Sequence, residues 1–328
     1  MAGKAPPVIA VDLGGSKILS AVVDHRGKIL ASDLHRTHAE KGADFVIGNI
    51  LKSVRAVADK STIPEQNIAA IGLGAPGISN PQTGIVYSSP NLPDWQNVPL
   101  KDAIENGSGK KVFLINDANA AALGEMRYGA ARGCRNFIYI TLSTGIGGGI
   151  IIDGQLYTGS AGMAGEIGHI VVEPDGPKCN CGGAGCWELY ASGTAMARRA
   201  REEIRKGKIS ALLDMAGKDV DNIDALLIQR AAEHGDPLAK RVIAETARYI
   251  GIGLGGLINI FNPELIVIGG GLANMGSMLL APAYKEAARR SYREAYRATR
   301  FAVAELGAHS GVLGAAVYAI EQLRKKRS

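Results

Sequence analysis

The residues with the clearest capacity for chemistry are three cysteines and a histidine within the segment 166–188. Cys179, Cys181 and Cys186 form the pattern Cys-x-Cys-x4-Cys, and His169 lies ten residues before the first of them. Thiolate sulfur and imidazole nitrogen are preferred ligands of zinc, and three Cys with one His complete a tetrahedral site without an open position. We therefore predict a structural zinc ion here.

Glycines and carboxylates surround this cluster. Gly182, Gly183 and Gly185 supply the φ > 0 conformations that turn a short segment around an ion. Glu166 and Glu188 lie at the two ends of the segment. A metal that joins these ends would bring two carboxylates and an imidazole together, which suits a polyhydroxylated ligand. The alternatives are three unliganded buried thiols, or a disulfide pair, against which three clustered cysteines without a secretory signal argue.

The bulk composition limits the class of protein. A chain of 328 residues, 46% of them hydrophobic, can bury a large core, and its length predicts two domains. The net charge is +6, but four of the 37 basic residues lie in the tail 324–327, which leaves 33 against 31 acidic residues. We therefore predict no nucleic-acid surface. The tail is interpreted as a solvated helix end, with binding to an anionic surface as the alternative.

The sequence shows no export or membrane signal. Residues 1–7 lack an apolar signal core, and the most apolar later run, 250–261, is short and interrupted by glycine. Reduced cysteines arranged as metal ligands, without an export signal, predict a cytoplasmic protein.

The chain begins with a predicted glycine-tipped β-hairpin. Short β-rich runs at 8–11 and 18–23 flank the tip, and a third strand is predicted at 28–32. Backbone N–H groups of such a tip can approach phosphate oxygens closely, and a hydroxyl and a cation add to the site. Most glycine hairpins are only turns, so this pattern alone is weak evidence. The candidate residues are Asp12, Gly14, Gly15, Ser16 and Lys17.

The same unit recurs at 137–154. An apolar run at 137–142 leads into a glycine-rich tip at 143–149, a second apolar run at 150–152 and an Asp-Gly turn. We interpret the chain as an internal duplication, in which two glycine hairpins hold the phosphates of one nucleotide. A buried strand at 265–268 ends in a third glycine loop, 269–271, suited to an adenosine.

Periodicity predicts the remaining elements. Strands are expected at 68–73, 111–115 and 301–304, and a polar, Pro-rich loop contains 88–95. Helices are expected at 44–58, 100–105, 118–128, 194–206, 223–234, 237–261, 283–300 and 312–323. Glycines in the helix 237–261 predict close packing against a neighbouring backbone. We place the domain boundaries near Asp117 and Gly311, which gives a small domain of residues 1–117 plus 312–328 and a large domain of residues 118–311.

Asp117 follows the strand 111–115 and directly precedes a helix. One interpretation is that it only caps that helix, the commonest role of Asp at such a position. The other is a general base, because ligands of open α/β sheets collect at the carboxyl ends of strands. Spacing alone favours the cap.

Taken together, these motifs resemble the ROK family of bacterial sugar kinases, and most closely its ATP-dependent glucokinases. Residues 12–17 are similar to the family's first phosphate loop D-x-G-G-T-K, with Ser16 in place of Thr. Residues 143–149 are similar to its second phosphate loop, and 269–271 to its adenosine motif. Residues 166–169 match E-x-G-H, and residues 179–188 match C-x-C-G-x-x-G-C-x-E. The resemblance extends from Val8 to Leu323.

The resemblance implies a duplicated α/β fold of the actin/hexokinase type (ribonuclease H-like), with a cleft between its two domains. It also implies roles for individual residues. Asp117 corresponds to the catalytic base, and Asp12 to the Mg²⁺-phosphate end of the site. The implied sugar ligands are Gly77, Asn91, Asn116, Glu166, His169 and Glu188, with His169 serving zinc as well. The implied nucleotide ligands include Thr144, Gly145, Gly147, Gly270 and Gly271 beside the first-hairpin residues.

The function implied is transfer of the γ-phosphate of Mg·ATP to the 6-hydroxyl of glucose, by a homodimer or homotetramer. Three alternatives stay open. The acceptor could be mannose, fructose, N-acetylmannosamine or N-acetylglucosamine, or the donor could be polyphosphate. From another class, the chain could be a non-catalytic sugar sensor, against which both phosphate loops and Asp117 argue.

Overall fold

The computed structural model describes residues 5–325, which form two compact units. Residues 5–135, Gly149–Gly165 and 304–325 make up the first, and Asn136–Gly148 with Glu166–Val303 the second. The predicted domains 1–117 plus 312–328 and 118–311 stay a prediction. Residues 1–4 of the N-terminal segment, and Lys326 and Arg327 of the predicted solvated tail, lie outside the described residues.

The described residues contain runs of strands and runs of helices. The strands are β1 Val8–Leu13, β2 Lys17–Val23, β3 Ile29–Arg36, β4 Ile71–Ala75, β5 Ile78–Asn80, β6 Ile85–Ser88, β7 Gln96–Val98, β8 Val112–Asn116, β9 Phe137–Leu142, β10 Ile146–Ile152, β11 Gln155–Leu156, β12 Leu265–Gly269 and β13 Arg300–Val303. The α-helices are α1 Ala43–Lys60, α2 Leu100–Ser108, α3 Asp117–Tyr128, α4 Glu188–Ala191, α5 Gly193–Arg205, α6 Leu212–Met215, α7 Ala225–Glu233, α8 Pro237–Phe261, α9 Ser277–Arg290, α10 Arg293–Ala298 and α11 Ser310–Lys325. Short 3₁₀ turns occupy Ala39–Lys41, Glu65–Asn67, Ile167–His169, Val220–Asn222, Gly271–Met275 and Gly307–His309. No helix within 5–325 combines the length and apolarity needed to cross a membrane.

Two five-stranded sheets share one topology. The first has the order β3-β2-β1-β4-β8 and the second the order β11-β10-β9-β12-β13. In the first sheet β2 is antiparallel to both neighbours, and β4 runs parallel to β1 and β8. In the second, β12 runs parallel to β9 and β13, and β11 is antiparallel to β10. The internal duplication predicted from the two hairpins is therefore confirmed.

The duplication also fixes a residue-by-residue correspondence. Each hairpin has a six-residue strand, a three-residue tip and a seven-residue strand. Val8 corresponds to Phe137 and Leu13 to Leu142, an offset of 129 positions. The second tip is shorter than predicted, because β10 already begins at Ile146 and includes the following glycines.

One other prediction about secondary structure was incomplete and one was wrong. The predicted loop is present at 89–95, but β5, β6 and β7, which were not predicted, form a small antiparallel sheet on either side of it. Strands of three or four residues are too short to give a periodic signal. The basic helix 283–300 is interrupted at Ser291, which is extended, with its hydroxyl donating to Ala287 O at 2.6 Å. The chain continues as α10 and β13.

Close helix packing completes the first unit. Helix α11 packs against α3, β1 and β4. A Cβ on Gly314 of α11 would overlap the Ala120 carbonyl of α3, so the two backbones touch at that point. Glu125 of α3 is fully buried and accepts hydrogen bonds from Ser310 Oγ at 2.8 Å and from Leu306 N at 3.0 Å. These contacts tie residues 306–325 to α3 and to the first sheet.

In the second unit, α8 anchors the end of the segment 166–188. Trp187 is fully buried, and its indole N–H donates to Tyr249 O of α8 at 2.7 Å. A Cβ on Gly253 would overlap the indole ring, and one on Gly251 would lie 2.5 Å from Ala283 O of α9. The predicted close backbone packing is confirmed at Gly251, whereas the neighbour of Gly253 is a side chain.

Candidate active site

The tip of the first hairpin lies beside two predicted ligands. A Cβ on Gly15 would lie 2.9 Å from the carbonyl oxygen of Asn91, so the loop 89–95 approaches the tip closely. The Asp12 carboxylate lies against the first turn of α11, where a Cβ on Gly311 would lie 2.5 Å from Asp12 Oδ2. The first hairpin, the loop that carries Asn91 and the start of α11 therefore meet in the first unit.

Asn116 and Asp117 lie where β8 passes into α3. Asn116, not Asp117, is the N-cap, because Asn116 Oδ1 accepts from Ala118 N at 3.0 Å and Asn119 N at 3.1 Å. Asp117 is the first helical residue, and its Oδ1 accepts from Ala118 N at 2.8 Å. The interpretation of Asp117 as the cap was wrong. The helix start is already satisfied by Asn116, which weakens the purely structural explanation for the carboxylate.

Gly77 is connected to the same strand end. Asn116 Nδ2 donates to Gly77 O at 3.3 Å. Gly77 has φ 90°, a backbone conformation that residues with a side chain rarely adopt. A Cβ on Gly77 would also overlap Ser88 and Ser89 at the end of β6. The small sheet thus connects Gly77 to the loop that carries Asn91.

In the second unit, the four predicted metal ligands form one cluster. The ligand atoms of His169, Cys179, Cys181 and Cys186 all lie within 4.8 Å of one another. Cys179 Sγ lies 3.6 Å from His169 Nδ1, and Cys181 Sγ lies 3.6 Å from Cys186 Sγ. A tetrahedron with Zn–S bonds of about 2.3 Å has S···S edges of about 3.8 Å, so the side chains fit a zinc ion. The group can hold a metal.

Burial changes the acidity of one thiol in this cluster. Burial, together with hydrogen bonds to the neighbouring thiols, raises the pKa of Cys186 to about 12. A thiol with this pKa stays protonated at neutral pH unless a positive charge offsets the burial. A donor set of three sulfurs and one imidazole selects soft or borderline metals such as zinc over Mg²⁺ or Ca²⁺.

Two carboxylates adjoin the cluster, as the sequence predicted. Glu188 Oε1 lies 3.7 Å from His169 Nδ1, and Glu166 Oε2 lies 4.0 Å from His169 Nε2. Burial raises the pKa of Glu166, opposed by His169 and reinforced by Glu188. The side chain of Glu166 is 39% exposed and that of Glu188 22% exposed, so both can still be reached by a ligand.

The same carboxylate reaches the second hairpin. A Cβ on Gly145 would lie 2.8 Å from Glu188 Oε2. Gly168 packs directly on the carbonyl of Ile146, the first residue of β10, which leaves no room for a side chain there. The metal cluster, two acidic side chains and the second glycine tip therefore lie next to one another; the roles of Thr144 and Gly147 stay predictions.

Sequence reasoning missed one residue of this site. Gly193 begins α5, and its N–H donates to Ser143 O at 2.7 Å. Ser192 caps the helix by accepting from Ala195 N at 3.2 Å. The Ser-Gly pair is the local signal of a helix start, but its contact with residue 143 is not encoded locally. On the other side of the tip, Gly270 has φ 83° and lies against Leu142, and Gly271 begins the following 3₁₀ turn.

Comparison with known proteins identifies the family of this chain. The model of the ROK family matches residues 8–322, nearly the whole chain. The chain belongs to the ROK family. The duplicated sheets are therefore those of the actin/hexokinase-like fold, as predicted.

Individual ROK proteins are similar over most of their length. The chain is 42% identical to a glucokinase of Thermotoga maritima over 84% of this chain and 85% of that protein. It is 39% identical to a glucokinase of Streptomyces coelicolor over 95% of this chain and 97% of that one. A crystal structure of a ROK glucokinase from Streptomyces griseus, in complex with glucose and AMPPNP, matches with a TM-score of 0.84 and 39% identity, over 95% of this chain and 98% of that one.

Burial of the Asp12 carboxylate lowers the stability of the folded protein when Asp12 is ionised. Burial raises its pKa from 3.8 to about 6, and Lys17 opposes the shift. The folded protein thus binds more protons than the unfolded chain between these values, so Asp12 lowers stability as pH rises through this window. Above about pH 7 the full effect is reached, and the free energy of unfolding is lower by up to about 3 kcal/mol.

We expect Asp12→Asn to raise the free energy of unfolding by up to about 3 kcal/mol at about pH 7.5 and to change it little at about pH 4. Urea denaturation at the two pH values measures this difference. If Asp12 has its predicted role at the Mg²⁺-phosphate end, the same variant should lose phosphoryl transfer, since an amide cannot replace the carboxylate charge. Equal stability changes at both pH values would contradict the assignment of the cost to ionisation.

Proposed function

We propose that the protein is an ATP-dependent glucokinase, which transfers the γ-phosphate of ATP to the 6-hydroxyl of glucose. The observation that carries this proposal is the identity of 39–42% with glucokinases over most of the chain. The structural match to a glucokinase bound to glucose and AMPPNP supports both substrates. The residues predicted to bind the sugar and the nucleotide lie at strand ends and glycine tips, where such ligands bind.

Asp117 acts as the general base. It lies directly after β8, at the carboxyl end of a strand where ligands of α/β sheets bind, and in this proposal its carboxylate accepts the proton of the sugar 6-hydroxyl. Removal of this proton makes the oxygen a better nucleophile toward the γ-phosphate. Asn116, Gly77 and Asn91 hold neighbouring sugar hydroxyls in this proposal.

Glu166, His169 and Glu188 bind further sugar hydroxyls. Carboxylate oxygens accept two hydrogen bonds from adjacent hydroxyls, and an imidazole nitrogen adds a donor or an acceptor. His169 has one nitrogen beside the thiols and the other beside Glu166, so it can serve the metal through Nδ1 and the sugar through Nε2. The zinc ion that we propose at His169, Cys179, Cys181 and Cys186 supplies rigidity and no reaction step.

The glycine tips bind the phosphates. In this proposal backbone N–H groups of residues 15–17 and 144–147 donate to phosphate oxygens, and the Lys17 ammonium neutralises charge. Gly270 and Gly271 contact the adenosine in this proposal. Mg²⁺, carried with ATP, supplies further neutralisation of the transferred group. Phosphoryl transfer depends mainly on such alignment and charge stabilisation, which these residues provide.

The test is ADP release by the purified protein with glucose, mannose, fructose, N-acetylglucosamine and N-acetylmannosamine, with ATP and polyphosphate as alternative donors. A strong preference for glucose with ATP supports the proposal. A preference for an N-acetylated sugar would keep the mechanism and change the substrate, whereas no turnover on any sugar would favour a sensor. The cytoplasmic location stays a prediction. The homodimer or homotetramer also stays a prediction, and light scattering of the purified protein would measure its oligomeric state.

A further inference from the structure

One buried threonine holds two of the three carbonyl groups at the tip of the first hairpin. Thr37 directly follows β3 and is fully buried. Its hydroxyl donates to Gly14 O at 2.6 Å, and its N–H donates to Ser16 O at 3.0 Å. Helix α1 fixes it in turn, because Asn49 Nδ2 donates to Thr37 O at 3.3 Å. The tip is therefore fixed by a residue more than twenty positions away in the chain.

This anchoring determines the polarity of the loop. In a trans peptide the C=O and the following N–H point in opposite directions, and no peptide bond within the described residues is cis. With Gly14 O fixed on Thr37, the N–H of Gly15 faces away from Thr37. A glycine loop can rotate its peptides at low cost, and the rotated form would present a carbonyl oxygen to an anion.

In the second hairpin the equivalent carbonyl group accepts a hydrogen bond from a different donor. Ser143 corresponds to Gly14 by the offset of 129 positions. The Ser143 carbonyl accepts from the N–H of Gly193 at 2.7 Å. The equivalent carbonyl is thus held in both repeats, by a side-chain hydroxyl in one and by a helix N-terminus in the other. Two unrelated donors at one equivalent position indicate that the fixed carbonyl matters for the tip itself.

We propose that Thr37 is a positioning residue for nucleotide binding, which keeps the amides of the first glycine tip directed at the phosphates of ATP. The proposal rests on the proposed kinase function. Thr37 is fully buried and contacts the loop, so we expect its replacement to change ATP binding and to leave glucose binding nearly unchanged.

The test compares Thr37→Val, which removes the hydroxyl, with Thr37→Ser, which retains it. We expect Thr37→Val to raise KM for ATP about fivefold to twentyfold, since one hydrogen bond to the loop is lost and a carbonyl is left unpaired. KM for glucose at saturating ATP should stay within about twofold, and Thr37→Ser should restore KM for ATP. A uniform effect on both KM values, or no rescue by Ser, would overturn the proposal.

Thr299→Val is a matched control, because Thr299 is also buried and its hydroxyl also donates to a backbone carbonyl, Pro263 O, at 3.0 Å. It should lower the melting temperature without changing KM for ATP. Calorimetric titration with Mg·AMPPNP separates this proposal from the kinase function. Weaker binding by Thr37→Val, restored in Thr37→Ser, supports the role of Thr37 even if no hexose is phosphorylated. Equal binding by all three forms, or no binding by the unaltered protein, overturns it.

Discussion

Replacement of Asp117 by Asn should lower kcat with glucose by on the order of 10²–10⁴-fold, the usual contribution of a general base. The amide has nearly the shape of the carboxylate and can still accept the hydrogen bond from Ala118 N, so α3 should begin as before. It cannot take up the proton of the sugar hydroxyl. The measurement is steady-state ADP release, together with calorimetric titration of glucose.

We expect glucose binding to Asp117→Asn to stay within about threefold of the unaltered protein, because the change removes a proton acceptor and little ground-state binding. Asp102→Asn is the matched control, since Asp102 also lies in the first turn of a helix and is exposed. It should keep full activity. Full turnover by Asp117→Asn would exclude Asp117 as the base, and a joint loss of binding, turnover and melting temperature would assign it a structural role.

Removal of the proposed zinc should have the second largest effect. Cys186 is buried in the cluster, and its replacement by Ser removes one of the four ligands. We expect loss of bound zinc and a fall in melting temperature of about 10 °C, because loss of a structural metal is among the changes that cost several kcal/mol. KM for glucose should rise more than about tenfold, since Glu166, His169 and Glu188 lose their fixed positions.

Cys134→Ser controls for loss of a buried thiol outside the cluster. It should keep one zinc per chain by elemental analysis, and KM for glucose should be unchanged. Treatment of the unaltered protein with a strong chelator should reproduce the effect of Cys186→Ser. If the purified protein contains no zinc, or if chelation leaves both the melting temperature and KM for glucose unchanged, the assignment is wrong.

The parts of the fold that were predictable depend on short-range patterns. Both hairpins, the long helices and the metal cluster have their signals within about twenty residues, so strand periodicity, helical periodicity and cysteine spacing were sufficient. The equivalence of the two hairpins then predicted the duplication, which the identical strand orders confirm. The roles of the individual sugar and nucleotide ligands stay predictions.

The parts that were missed depend on contacts between distant residues or on competition between neighbours. Both Asn116 and Asp117 are good capping residues, and only the geometry shows that Asn116 takes that role. The anchoring of the tips by Thr37 and Gly193 joins residues far apart in the chain and leaves no periodic signal. The strands β5, β6 and β7 gain their pairing from one another, not from local propensity.

The packing of α11 on the first sheet has a consequence for biosynthesis. The last strand of that sheet ends at Asn116, and α11 begins at Ser310, about 190 residues later. At roughly 5–20 residues per second, a ribosome needs about 10–40 seconds to make the intervening chain. During that time the faces of β1, β4 and α3 that receive α11 stay uncovered. The nascent chain therefore exposes an apolar surface that a chaperone can bind, and the first unit matures only as its final helix leaves the ribosome.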